Sequence, residues 1–237
     1  MTAAPFQLAD GSPKVVGSIG GREDLCEADA TRVRACCDLV EIRLDRILTG
    51  PDDANAAPWQ HLRDVPLLFT VRREDEGGRA LNADQRMQWL APVLDQAAAI
   101  DIEVASIGEM NALVHDLNHR AIPWIASFHD FNKMPDSAVL LDAARRARDA
   151  GACVFKTAAW LHHAADLARL AEFQLADHGL AVATMGMGPL GAVSRLLCAQ
   201  CGSALNYGSL GKTTTAPGQW DAAMLRRAIS LLEPIRS

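Results

Sequence analysis

The chain lacks the features of a membrane or exported protein. None of its apolar runs approaches the roughly 18 residues that a membrane-spanning helix needs. Its first residues, MTAAPFQLADGSPK, lack the basic start and apolar core of a secretory signal. We therefore expect a cytoplasmic protein without membrane partners, whose six cysteines are reduced thiols.

The chain also lacks an excess of positive charge and a complete metal or phosphate motif. It has 23 Lys and Arg against 29 Asp and Glu, and this net charge of −6 argues against nucleic-acid partners. Cys198 and Cys201 form CxxC without a second pair, and His115 and His119 lack the glutamate of HExxH. The P-loop-like segment 206–213 begins with asparagine where glycine is required. We therefore expect no bound metal.

What the chain does contain is a regular alternation of strand-like and helix-like segments. Strict alternation predicts a parallel sheet, and eight units in about 220 residues are enough to close a (β/α)8 barrel. A doubly wound open sheet is the competing fold, but GSIGGRED (17–24) lacks the full GxGxxG spacing that usually follows its first strand. We predict an α/β protein with a single (β/α)8 TIM-barrel domain over residues 1–237, in which residues 1–12 form a flexible lead-in.

The boundaries follow from apolar runs, turn residues and helix caps such as Asn82. The predicted strands cover 14–19, 39–45, 65–72, 99–106, 123–131, 152–160, 180–188 and 203–211. The predicted helices cover 22–37, 52–63, 83–97, 107–120, a segment from Asp136 or Ser137 to about Gly151, 161–178, 191–201 and 219–232.

The sixth predicted strand, ACVFKTAAW (152–160), carries a single charge, Lys156, near its middle. A lysine is seldom fully buried unless it is paired. One interpretation is a strand-end lysine whose ammonium reaches water. The other is a lysine kept neutral by apolar neighbours, and therefore a nucleophile toward carbonyl groups.

Further polar residues fall where the predicted strands end. The carboxyl ends of the strands form the functional face of such a barrel, so we expect these side chains to meet at one rim. Three arginines suit a carboxylate or phosphate, and His129, with an ordinary pKa near 6.5, suits proton transfer next to a lysine imine. The residues are Ser18, Glu41, Arg43, Arg72, Glu76, His129, Lys156, Arg195 and Gln219.

Six segments of the chain, in order, resemble the signatures of the type I 3-dehydroquinate dehydratase family. They are VEIRLD (40–45), FTVRREDEGG (69–78), SFHDF (127–131), the lysine strand 152–160, MGMGPLGAVSR (185–195) and TAPGQ (215–219). The resemblance implies dehydration of 3-dehydroquinate to 3-dehydroshikimate, the third step of the shikimate pathway, without metal or organic cofactor. It also suggests a homodimer.

The resemblance assigns a role to each matching residue. Lys156 matches the lysine that forms an imine with the substrate ketone, His129 the general base and acid, and Glu76 the carboxylate paired with it. Arg195 matches the arginine that holds the substrate carboxylate. The residues matching other substrate contacts are Ser18, Glu41, Arg43, Arg72, Gln219 and Thr215, the last standing where the family usually has a serine in a covering loop.

Judged from the residues alone, two other functions compete with that of a dehydratase. A class I aldolase uses the same barrel and the same imine, and loops after the seventh and eighth strands can hold phosphate. A non-catalytic barrel could bind a shikimate-type acid as a sensor. A sensor has no need of an imine, so Lys156, His129 and Glu76 together favour an enzyme.

Overall fold

A computed structural model describes residues 7–233 of the chain, and eight parallel strands form its centre. Their spatial order is β7-β6-β5-β4-β3-β2-β1-β8. The backbone N–H of Ala204 donates to the carbonyl of Val182 at 2.9 Å, which brings the start of β8 beside β7 and nearly closes the barrel. The predicted TIM barrel is thereby confirmed. The strands are β1 Lys14–Ile19, β2 Leu39–Arg43, β3 Leu67–Thr70, β4 Ala99–Glu103, β5 Trp124–Asp130, β6 Val154–Trp160, β7 Ala181–Met187 and β8 Leu205–Ser209.

Helices connect the strands and surround the barrel. Within residues 7–233, none of them is long and apolar enough to cross a membrane. The α-helices are α1 Arg22–Glu27, α2 Ala30–Cys36, α3 Leu44–Ile47, α4 Ala83–Leu90, α5 Asn111–His119, α6 Ser137–Asp149, α7 Ala164–Leu175, α8 Gly191–Gln200 and α9 Ala222–Ile229.

Several helix predictions were wrong in extent. The predicted helix 22–37 is two helices, because Asp29 accepts a hydrogen bond from the Arg32 N–H and starts α2 anew. The predicted helix 52–63 is two short 3-10 segments, Pro51–Ala56 and Gln60–Leu62. Asn82 does cap α4, by accepting from the Gln85 N–H at 2.9 Å.

The alternation of side chains along each strand decides what points into the barrel. Val154 and Ala158 of β6 belong to the interior apolar cluster, whereas Phe155 and Ala159 pack in the outer layer against the helices. Residues two apart on a strand share a face. Lys156 lies between Val154 and Ala158, so it also points into the barrel.

Along the strands, the side chains that face the interior change from apolar to polar within two residues. The same alternation applies to seven strands, so a polar layer lies directly above an apolar one. The apolar layer contains Val16, Leu39, Leu68, Ala99, Ile125, Val154 and Leu205, and two positions later stand Ser18, Glu41, Thr70, Asp101, Ser127, Lys156 and Tyr207.

The predicted lead-in 1–12 falls partly outside the described residues, which begin at residue 7. Leu8 is 3% exposed and joins the interior apolar cluster. Close by, the Lys14 ammonium contacts the Asp10 carboxylate at 2.6 Å. These contacts hold the described part of this segment against the barrel.

Candidate active site

One cavity at the carboxyl ends of the strands contains nearly all of the predicted site residues. Ser18 does not line it, but its hydroxyl donates to Glu41 Oε2 at 2.7 Å and so supports the wall. The predicted residues that line the cavity are Glu41, Arg43, Arg72, Glu76, His129, Lys156, Arg195, Thr215 and Gln219. Residues spread over some 180 positions of sequence thus meet because strands β2 to β8 end at the same rim.

Lys156 lies deep in the cavity and is paired with a carboxylate that the sequence analysis did not single out. Its Nζ donates to Asp101 Oδ2 at 3.0 Å, and both side chains are almost completely buried. The ring centroid of Tyr207 lies 4.3 Å from the same Nζ, which is a cation–π distance. The interpretation of Lys156 as a lysine kept neutral by apolar neighbours therefore did not include this pairing with a carboxylate.

Arg72 links two carboxylates at the base of the site. Its Nη1 contacts Asp101 Oδ1 at 2.8 Å and Glu103 Oε1 at 2.9 Å. Glu103 is held from its other side by Arg86, at 2.9 Å. Burial opposes ionisation of Asp101, but Arg72 and Lys156 outweigh it and hold the pKa of its carboxyl well below the usual range. Lys156 is thus anchored in an array of buried charges that compensate one another.

Glu41 and Arg43 form the β2 side of the cavity. Glu41 accepts from Ser18 and from the Thr70 hydroxyl, the latter at 3.0 Å. Arg43 makes a bidentate pair with Asp45, at 3.0 and 2.8 Å. Arg43 and Arg72 are therefore both neutralised by carboxylates, unlike the third predicted arginine.

Arg195 is that exception. It is 1% exposed, and its Nη1 donates to the carbonyl of Tyr207 at 2.8 Å. Its Nε and Nη2 have no hydrogen-bond partner in the described part of the chain. Burial lowers the pKa of the guanidinium to about 10, so it stays charged at neutral pH. A buried cation with two free donors is costly, and an anionic ligand in the cavity would satisfy it.

His129 is fixed by Glu76 from the loop after β3. Glu76 Oε2 accepts from the His129 backbone N–H at 3.0 Å and lies 2.7 Å from Nδ1. This geometry commits Nδ1 to Glu76 and leaves Nε2 as the nitrogen that can act on a ligand.

The environment shifts the pKa values of both Glu76 and His129 away from their ordinary values. Burial raises the pKa of Glu76 to about 8. Burial and the cations Arg72 and Lys156 lower the pKa of His129 well below its ordinary value of 6.5. Loss of one proton from the pair leaves an ionised Glu76 accepting from Nδ1–H, with a free lone pair on Nε2.

The loop after β8 contributes Thr215, Ala216 and Gln219 to the lining of the cavity. Gln219 Oε1 accepts from the Thr215 N–H at 2.9 Å and from its hydroxyl at 3.0 Å. The Thr215 methyl is accommodated by a glycine, because a Cβ at position 20 would lie 2.7 Å from Thr215 Cγ2. At the start of the loop, Asp24 accepts from the backbone N–H groups of Lys212 and Thr213.

Sequence reasoning missed several residues of the site. Asp101 and Glu103 were detectable, since AIDIE places two acids on one face of an otherwise apolar strand. Tyr207 is the sole tyrosine of the chain, but nothing in its local sequence separates it from a core residue. The other missed wall residues are Gly77, Phe131, Ala158, Met185, Met187 and Ala216.

The cysteine and histidine motifs do not line the cavity. Cys198 and Cys201 are buried free thiols in and beside α8. His115 and His119 are exposed on α5, as expected of an outer helix. Across residues 7–233, no group of three or more His, Cys, Asp or Glu side chains is arranged to hold a metal ion.

Comparisons with known proteins agree with this architecture over nearly the whole chain. The family model described as Type I 3-dehydroquinase matches residues 20–236. A 3-dehydroquinate dehydratase of Salmonella agona is 30% identical over 248 residues, covering 98% of this chain and 98% of that protein.

Solved structures show the same similarity in three dimensions. A 3-dehydroquinate dehydratase from Geobacillus kaustophilus superposes with a TM-score of 0.82 at 27% identity, covering 93% of this chain and 91% of that one. A type I 3-dehydroquinate dehydratase from Clostridium difficile, solved with covalently modified comenic acid, gives 0.81 at 26% identity, covering 95% and 94%.

Proposed function

Because the chain belongs to the type I 3-dehydroquinase family, a family of hydro-lyases, we propose that this cavity converts 3-dehydroquinate to 3-dehydroshikimate and water, the third step of the shikimate pathway. The observation that carries the proposal is the joint arrangement of a buried lysine, a fixed histidine and an arginine with free donors. These are the groups that a ketone, an adjacent acidic carbon and a carboxylate require on one small substrate.

The first step is imine formation on Lys156. The ammonium first loses a proton to water, and the neutral amine adds to the ketone carbon to give a carbinolamine. The carbinolamine takes up a proton and loses water to give the protonated imine, so nitrogen carries one positive charge before and after the step. Asp101, 3.0 Å from Nζ, can stabilise that charge before and after the step. The protonated imine then withdraws electrons from the neighbouring carbon and makes its proton acidic.

The second step is removal of that proton by His129. Glu76 fixes Nδ1, so Nε2 accepts the proton and an enamine forms. The enamine expels the hydroxyl group on the next carbon, and His129 returns its proton to that departing group, which leaves as water. Hydrolysis of the imine releases the product and restores Lys156.

Arg195 is the proposed partner of the substrate carboxylate. Its free Nε and Nη2 can make the bidentate contact that a carboxylate accepts. Arg43 and Arg72 are less suited, since Asp45, Asp101 and Glu103 already pair with them.

The Arg195→Lys variant tests this contact. Lysine keeps the positive charge but lacks the paired N–H donors of the guanidinium that bind a carboxylate in a bidentate manner. KM for dehydroquinate should therefore rise by about 10- to 100-fold, with a smaller change in kcat. Steady-state kinetics measure both constants, and the surface variant Arg226→Lys, whose parent side chain is 38% exposed, should match wild type. An unchanged KM for Arg195→Lys would assign the carboxylate to another residue.

Turnover itself is tested by adding dehydroquinate to the purified protein and following the absorbance of the conjugated enone product. We expect steady product formation that survives prolonged treatment with a chelator, since every proposed step uses side chains of the cavity. Loss of activity with rescue by zinc or magnesium would contradict the proposed steps. Carbon–carbon cleavage of sugar phosphates would favour the aldolase, and ligand binding without turnover would favour the sensor.

A further inference from the structure

Tyr207 is a wall residue with an unsatisfied polar group. It is the sole tyrosine in the chain and lies at the middle of β8, with 4% of its surface exposed. Its side chain lines the cavity, and its hydroxyl has no hydrogen-bond partner among residues 7–233. Buried tyrosine hydroxyls usually have a partner, because an unpaired buried hydroxyl costs free energy.

The acidic groups beside this hydroxyl are already committed to other donors. Glu41 accepts from Ser18 on one oxygen and from Thr70 on the other. Asp101 accepts from Arg72 and Lys156. Neither carboxylate therefore accepts a hydrogen bond from the tyrosine hydroxyl, although both lie close enough to influence its pKa.

The hydroxyl is held in its donor form. Burial, followed by the negative charges of Glu41 and Asp101, raises the pKa of Tyr207 well above 10. At any pH at which the enzyme is expected to work, the group can therefore donate a hydrogen bond into the cavity.

The geometry points to Tyr207 as a specificity-determining residue whose hydroxyl donates a hydrogen bond to a ring hydroxyl of the bound substrate, on the Glu41 side of Lys156. This inference rests on the proposed function. The tyrosine ring packs 4.3 Å from Lys156 Nζ, so a substrate ring joined to that nitrogen lies against the tyrosine. A polyhydroxylated ring held there offers oxygen acceptors to a donor that the protein leaves unpaired.

The Tyr207→Phe variant removes the hydroxyl and keeps the ring. We expect kcat/KM for dehydroquinate to fall about 10-fold, mainly through KM, because the substrate hydroxyl loses its partner. The melting temperature should be unchanged or higher, because the ligand-free protein loses an unpaired buried group.

Thr184→Val is the matched control. The Thr184 hydroxyl is equally buried but is bonded to Gln174 Oε1 at 2.8 Å, and it does not line the cavity. This variant should show the opposite pattern, a lower melting temperature with unchanged KM. Wild-type kinetics for Tyr207→Phe would overturn the inference, and so would a lowered melting temperature accompanying its loss of activity.

Substrate analogues identify the contact. Each of two dehydroquinate analogues would lack one of the ring hydroxyls that are not lost in the reaction. The fall in kcat/KM caused by Tyr207→Phe should disappear with one analogue and persist with the other. An equal fall in kcat/KM with both analogues would overturn the inference. Wild-type turnover distinguishes a failure of this inference from a failure of the proposed function. A wild-type protein that is inactive on dehydroquinate would contradict both.

Discussion

Lys156→Ala is expected to lower kcat for dehydroquinate by more than about 10⁴-fold, because no other group in the cavity can supply the imine nitrogen. Borohydride added to the wild-type protein with substrate or product should reduce the imine and leave a stable adduct. Mass spectrometry of peptides should place that adduct on Lys156, and the variant should carry none.

Two control variants separate chemistry from folding in this experiment. Lys156→Arg keeps a cation opposite Asp101, so it should fold and yet be inactive and impossible to trap. Lys133→Ala removes an exposed lysine and should behave as wild type. An adduct on Lys14, Lys133 or Lys212, or full activity in Lys156→Ala, would show that the imine assignment is wrong.

His129→Ala is expected to separate imine formation from proton transfer. Positioned acid–base groups contribute about 10² to 10⁴ in rate, and here one imidazole serves two proton transfers, so kcat should fall by at least that range. Lys156 and its pairing with Asp101 remain intact, so borohydride should still trap an adduct in this variant. Near-normal turnover would mean that another group carries the proton, whereas failure to trap would place His129 in imine formation or folding.

Glu76→Gln is the companion to that variant. The amide can still lie against His129 Nδ1 but cannot ionise, so its cost in kcat should be smaller than that of His129→Ala. In the wild type, the pair must lose a proton before Nε2 can act as a base, and Glu76 has a pKa of about 8. The wild-type rate should therefore rise as pH increases toward about 8, and this rise should be absent from the pH–rate profile of Glu76→Gln.

Local patterns in the sequence were enough to determine the barrel and much of its rim. Apolar segments such as 99–106 and 152–160 are short, and turn residues and helix caps bound them, so the order of strands and helices follows from nearby residues. The alternation of side chains along β6 also follows from local geometry, which is why the position of Lys156 was predictable. Helix extents were less secure, because the Asp29 cap that divides 22–37 competes with helix propensity.

Only the tertiary structure decided which charged groups pair and which remain free. Lys156 and Asp101 are 55 positions apart, and Arg43, Arg72 and Arg195 look alike in the sequence. Arg43 pairs with Asp45, two positions later, whereas Arg72 meets Asp101 and Glu103 of the neighbouring strand β4. Arg195, on α8, keeps two donors without a partner among residues 7–233, and the hydroxyl of Tyr207 also lacks a partner there. Strand periodicity states which side a residue faces, whereas distances across the barrel depend on how all eight strands are tilted and closed.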